Sequence, residues 1–85
     1  MTLRRKRGIS IKLDGRAGLL YRDGDHSLSI DSEMLAGGEY DLVAYRDSID
    51  SWDPPFDRED LLDGDREQII ENVTQELKKY RIDWQ

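Results

Sequence analysis

Alternation of apolar and polar positions dominates the first half of the chain. Ile9, Ile11 and Leu13 alternate with Ser10, Lys12 and Asp14. A period of two puts successive side chains on opposite faces of a sheet, so this stretch predicts a strand with one buried face, ending at Gly15. Gly18 to Arg22, carrying Leu19, Leu20 and Tyr21, predicts a second strand. Asp23-Gly24 signals a hairpin, because two-residue primed turns need positive φ and glycine adopts it without steric cost. His26 to Asp31 returns as a third strand with Leu28 and Ile30 inward. The clearest strand is Tyr40 to Arg46, where Tyr40, Leu42 and Ala44 alternate with Asp41, Val43 and Tyr45, and both faces look at least partly covered. Between the third strand and this one, Ser32 to Leu35 reads as a single helical turn, and Gly37-Gly38 releases the chain into the Tyr40 strand.

The pattern then changes period. Ile69, Val73 and Leu77 recur every four residues and are joined by Ile70 and Tyr80, which gives one apolar stripe on a helix predicted over Asp65 to Tyr80. Asp65 followed three residues later by Gln68 resembles a capping box. Lys78 and Lys79 fall near the C-terminal end, where the helix dipole favours cations. Arg81 to Gln85 alternates again and predicts a short terminal strand. These elements predict an α+β fold, an antiparallel sheet of four to five strands with one C-terminal helix packed across one face. Residues 1–7 are expected to be a basic flexible arm and residues 8–85 a single domain.

An 85-residue chain without cysteine must hold this fold by packing alone, which excludes disulfide frameworks, thiolate zinc sites and cysteine nucleophiles. The basic start, Arg4 to Arg7, is not followed by a continuous apolar segment, so no secretion signal or membrane span is expected and the expected location is cytoplasmic. Those four residues belong to the 13 basic ones, which leaves nine against 19 acids in the remainder. Asp47, Asp50, Asp53, Asp57, Glu59, Asp60, Asp63, Asp65 and Glu67 crowd one segment that has only Arg58 and Arg66 against them. A field of that sign repels nucleic acid and attracts basic protein surfaces, although acidic loops also serve solubility alone.

Residues 47–64 are mostly irregular, because Pro54-Pro55 blocks both helix and strand, and Asp63-Gly64 marks a turn. Long irregular connections in small domains are usually functional or disordered. Trp52 and Phe56 in this loop suit two roles equally: interface anchors, or plugs folded back on the core, as the nearby Ile49 would encourage. The candidate partner-binding residues are therefore Asp47, Asp50, Trp52, Asp53, Phe56, Asp57, Glu59 and Asp60.

No catalytic group, cofactor or metal site is expected. His26, the lone histidine, lies just beyond a hairpin turn and reads as solvated. No apolar pocket is predicted around any pair of carboxylates, as acid and base catalysis would require. The aspartates of the loop fail the calcium-loop pattern, since Gly64 in its sixth position would put Leu61 at the third and Ile70 at the twelfth. Gly15-Arg16-Ala17-Gly18 lacks the Gly-Lys-Ser/Thr of a phosphate loop.

The string Ile30-Asp31-Ser32-Glu33-Met34-Leu35, then Tyr40-Asp41-Leu42-Val43-Ala44-Tyr45, then Ser48-Ile49 with Trp52 and Pro54-Pro55, precedes a helix with Ile69, Asn72 and Val73. It resembles the small bacterial immunity proteins grouped as immunity protein 74, from about Leu20 to Trp84. Those are encoded beside toxins of polymorphic or contact-dependent inhibition systems. The resemblance implies a protein that binds and neutralises a cognate toxin domain as a heterodimer, without enzymatic activity and without nucleic-acid or membrane partners. A nuclease would suit the acidic loop as the target. An acidic adaptor module without inhibitory role is the alternative from another class, and a small hydrolase using two of the aspartates is a weaker third.

Overall fold

A computed structural model describes residues 8–14 and 18–85. The basic arm predicted over residues 1–7 lies outside the described residues. Strands β1 (Ile9–Asp14), β2 (Gly18–Asp23) and β3 (His26–Ile30) form an antiparallel meander in that order. Its register places Ile11, Tyr21 and Leu28 side by side on one face, with Leu13, Leu19 and Ile30 next to them. Lys12, Leu20 and Ser29 share the other face. Period-two alternation is therefore realised as predicted, and Gly24, at φ +64, opens the β2–β3 turn.

A second three-stranded sheet holds β4 (Ser32–Met34), β5 (Leu42–Ala44) and β6 (Ile82–Trp84). The single sheet of four to five strands expected from the sequence is thus two sheets. They meet at Asp31, the only residue between β3 and β4. Its carbonyl accepts from Tyr45 N–H at 3.0 Å and its N–H donates to Ser48 Oγ at 2.9 Å, so the chain leaves one ladder and enters the next without turning away. Gly18 of β2 lies against the other side of this junction. A Cβ there would overlap the Ile30 carbonyl oxygen and come within 3.1 Å of Ser32 N.

Three local expectations are corrected. Ser32 to Met34 is strand rather than part of a helical turn, because β4 pairs antiparallel with β5 through Ser32 with Ala44 and Met34 with Leu42. The Tyr40–Arg46 strand contracts to Leu42–Ala44, with all three residues buried. The chain bends at Asp41 and passes into a 3-10 turn at Arg46–Ser48, so Tyr40 and Tyr45 fall outside the ladder. Finally, β6 runs parallel to β5, not antiparallel. A parallel neighbour needs a long crossover, and here the acidic loop and the helix supply it.

Helix α1 (Asp63–Glu76) starts two residues earlier than predicted and ends four earlier. Leu62 caps it, and Asp65, expected as the cap itself, instead sits in the first turn and accepts from Leu62 N–H at 3.0 Å. Leu77 leaves the helical conformation, and Tyr80 N–H donates to the Leu77 carbonyl in the following turn. The apolar stripe does what its spacing required. Ile69, Ile70 and Val73 enter one core with Leu19, Tyr21, Leu28, Ile30, Leu42, Ala44 and Ile49, and Leu77 and Tyr80 pack at its margin. Trp84 of β6 is tied to α1 by Nε1–H donating to Thr74 Oγ1 at 3.1 Å.

The entry to β6 is fixed electrostatically. Asp41 accepts from the Arg81 backbone N–H at 2.7 Å and from its guanidinium at 3.3 and 3.4 Å. The Arg81 side chain, followed by its backbone N–H, holds the Asp41 carboxyl below the usual carboxylate value. A carboxyl depressed in the folded state adds stability that is present above its unfolded pKa of about 3.9 and is lost as pH falls through the lower folded value. Asp41→Asn should therefore lower the thermal midpoint at pH 7, and the gap from the parent should close as pH falls below about 4. Melting curves from pH 7 to 2 that stay parallel for the two proteins would exclude this role.

Candidate functional site

The acidic segment between the 3-10 turn and α1 is not a loose excursion. Ile49 is fully buried in the core, and its carbonyl accepts from Arg66 Nε at 2.9 Å, which binds the start of the loop to the helix. Asp53 is fastened to β3 twice: its N–H donates to the Ser27 carbonyl at 2.8 Å, and its carboxylate accepts from Ser27 Oγ at 3.2 Å. Turn hydrogen bonds from Phe56 N–H to Asp53 and from Glu59 N–H to Phe56 fold the segment after the Pro54-Pro55 pair.

Aromatic rings complete the attachment around His26. The Phe56 ring stacks on the imidazole with centroids 3.8 Å apart and planes at 17°. Trp52 meets the imidazole edge-on at 5.0 Å and stacks with Tyr21 at 6.3 Å. His26 Nε2 donates to Glu59 Oε1 at 2.9 Å. This corrects the reading of His26 as a solvated turn residue: it is partly buried and is the hub on which the loop closes. Of the two roles left open for Trp52 and Phe56, the contacts favour the plug, although one side of Trp52 remains open to a surface depression.

From Tyr21 the network continues to the helix. Asn72, buried on α1, donates from Nδ2 to Tyr21 Oη at 2.9 Å and accepts from Gln68 Nε2 at 3.1 Å. Burial, partly opposed by the Asn72 hydrogen bond, raises the Tyr21 phenol above its ordinary pKa, so it stays neutral and fully able to share that bond. No buried side-chain nitrogen or oxygen among the described residues lacks a partner. Such a closed network holds a surface in one arrangement before any partner arrives.

The eight candidate residues thus divide. Trp52 and Phe56 are partly buried against β2 and β3, and Asp53 and Glu59, though exposed, are tied to Ser27 and His26. Asp47, Asp50, Asp57 and Asp60 are exposed, and Asp60 lines the depression together with Asp23, His26, Trp52, Glu59 and Asp65. Asp47 stands apart in the 3-10 turn. Asp23 and Asp65 were not among the partner-binding candidates, because one belongs to a hairpin and the other to a helix start. Only the fold brings them beside the loop. Among the described residues no three of His, Asp and Glu are placed to hold a metal ion, and no helix is long and apolar enough to cross a membrane.

What remains is an outward-facing acidic surface on a loop fastened to β3. The model of a family described as Immunity protein 74 matches residues 9–84. The chain belongs to that family. The match extends the resemblance read from about Leu20 back through β1, so the whole meander is part of the family domain. No curated protein and no solved structure matches the chain. Membership in Immunity protein 74 makes this an immunity-type protein whose partner is a toxin protein.

Proposed function

We propose that this chain acts in the cytoplasm as a stoichiometric, non-enzymatic inhibitor that captures its cognate toxin domain with the Asp47–Asp60 segment. The observation that carries this reading is the division of labour within the loop. Its aromatic side chains are spent on His26 and Tyr21, while Asp50, Asp57 and Asp60 project from a backbone already fastened to β3. A prearranged surface loses little conformational entropy on binding, and clustered charge accelerates encounter with an oppositely charged partner. A nuclease, whose active site must attract phosphates, presents the complementary field. Inhibition then needs no reacting group in the immunity protein, only coverage of that basic site.

The test is co-purification with the product of the neighbouring toxin gene, followed by association kinetics of the variant Asp50→Lys, Asp57→Lys, Asp60→Lys. Glu59 and Asp53 are left intact because their carboxylates hold His26 and Ser27. The triple variant should keep the parent's thermal midpoint and associate at least about tenfold more slowly at low salt, with the difference shrinking as salt screens the charges. An unchanged on-rate at every ionic strength would place recognition elsewhere. A tight complex that leaves the toxin active would make the chain an adaptor.

A further inference from the structure

Six large apolar side chains among the described residues are exposed: Leu62 at 65%, Met34 57%, Tyr40 40%, Leu35 39%, Leu13 38% and Tyr45 37%. Leu62 stands alone at the start of α1 and Tyr45 before the 3-10 turn, whereas Leu13, Met34, Leu35 and Tyr40 lie around β4. Leu13 and Met34 line the same depression, between the end of β1 and β4. Leu35 follows Met34, and its N–H donates to the Asp41 carbonyl at 2.9 Å, which brings the Tyr40 side of the hairpin alongside. This end lies where β4 runs out, far along the β3–β4 strand from His26 and the acidic loop. Single exposed leucines are ordinary, but apolar groups gathered at one place mark an interaction surface.

The flanking chemistry says what fits. Glu33 lies within this end and Glu39 next to Tyr40, and both are exposed. A twofold contact with a second copy would bring each glutamate toward its own counterpart in a chain of net charge −6, a like-charge arrangement. A partner with an apolar centre and lysines or arginines around it meets both requirements, since interfaces place apolar anchors centrally within a polar rim.

We infer that the β4–β5 end is a second contact for the same basic partner protein, with Met34 and Tyr40 as its anchors. This rests on the proposal that the partner is the cognate toxin domain. The loop would govern how fast the complex forms and this apolar end how long it lasts, because desolvated apolar anchors act mainly on dissociation.

Two measurements on the complex with the catalytically inactivated product of the neighbouring toxin gene decide it. Met34→Lys places a charge where the side chain is already mostly in water, so the thermal midpoint should hold. The dissociation rate should rise about 30-fold or more with little change in association rate. Amide hydrogen exchange should slow in residues 33–41 on binding as well as in the loop. Parent-like dissociation of Met34→Lys, together with protection confined to residues 47–60, would overturn this inference and leave the toxin-binding proposal standing. Failure of the unmodified chain to form any complex would remove both. Concentration-dependent dimers abolished by Met34→Lys would assign this surface to a second copy instead.

Discussion

Gly18→Ala should leave little folded protein at 37 °C. Gly18 has φ +88, a left-handed conformation that costs a residue bearing a Cβ about 1–3 kcal/mol. The added carbon would also overlap the Ile30 carbonyl oxygen and press on Ser32 N at 3.1 Å and Ser32 Oγ at 3.2 Å. Backbone atoms at the junction of two sheets cannot swing aside as a flexible side chain can. A domain of this size has about 5–15 kcal/mol in all. Each kcal/mol is worth about 4–8 °C in its melting temperature, so a fall of about 15 °C or more is expected. Gly24→Asn provides the comparison. It too has positive φ, at +64, but a Cβ there would meet nothing within 4 Å, and asparagine tolerates this region. Its midpoint should fall by only a few degrees. Equal losses for the two variants would mean that close approach at Gly18 has no weight.

Val73→Asp should abolish folding. Val73 is 0% exposed on the face of α1 that enters the core, among Ile69, Ile70 and the inward residues of both sheets. No cationic side chain belongs to that core cluster, so the carboxylate would be buried without a partner or forced to take up a proton. Either alternative removes a large share of the available stability. Val73→Ala separates the contributions: it should cost about 1–3 kcal/mol and stay folded. Circular dichroism and thermal melting of both variants provide the check. A cooperative transition for Val73→Asp within about 5 °C of the parent would contradict the packing described for α1.

The elements that were legible in the sequence are those whose side chains report on their own surroundings. Ile9 and Ile11 alternate with polar neighbours because one face of β1 meets the core, and Ile69 and Val73 recur because one side of α1 does. Where pairing partners lie far apart in the chain, no local pattern records them. β4 carries an exposed Met34 and so lacks the alternation of a half-buried strand. The parallel pairing of Leu42 with Ile82 depends on a return of the chain that neither strand encodes by itself. Asp63 and Asp65 both suit a helix start, and only the bond from Leu62 N–H to Asp65 decides between them.

The acidic loop was legible as a candidate by its charge density and proline pair, whereas the fates of Trp52 and Phe56 were not. Both depend on one ring more than 25 positions earlier. A lone histidine after a turn looks solvated until Phe56 stacks on it and Glu59 takes its hydrogen bond. Tyr21 and Asn72 were seen as a strand residue and a helix residue, but their mutual hydrogen bond makes them the support of the loop. The apolar end at Met34 and Tyr40 is not legible locally, because Met34 reads as part of a helical turn and Tyr40 as part of a strand covered on both faces, whereas both are exposed.

Because β5 and β6 are parallel neighbours in the second sheet, the chain leaves it at Ala44 and re-enters it at Ile82, beside Leu42. Residues 45–81 are therefore an insertion tethered at both ends, attached inward at Ile49, Asp53 and α1. Between Phe56 and Leu62 the backbone has no ladder to maintain, and doubling a flexible stretch costs only about 0.6 kcal/mol in closure entropy. Diversifying selection can lengthen, shorten or recharge that short span while the sheets and helix remain intact. On the proposal that this loop meets the toxin, an immunity protein built this way could follow a changing toxin by editing a few residues, without rebuilding its scaffold.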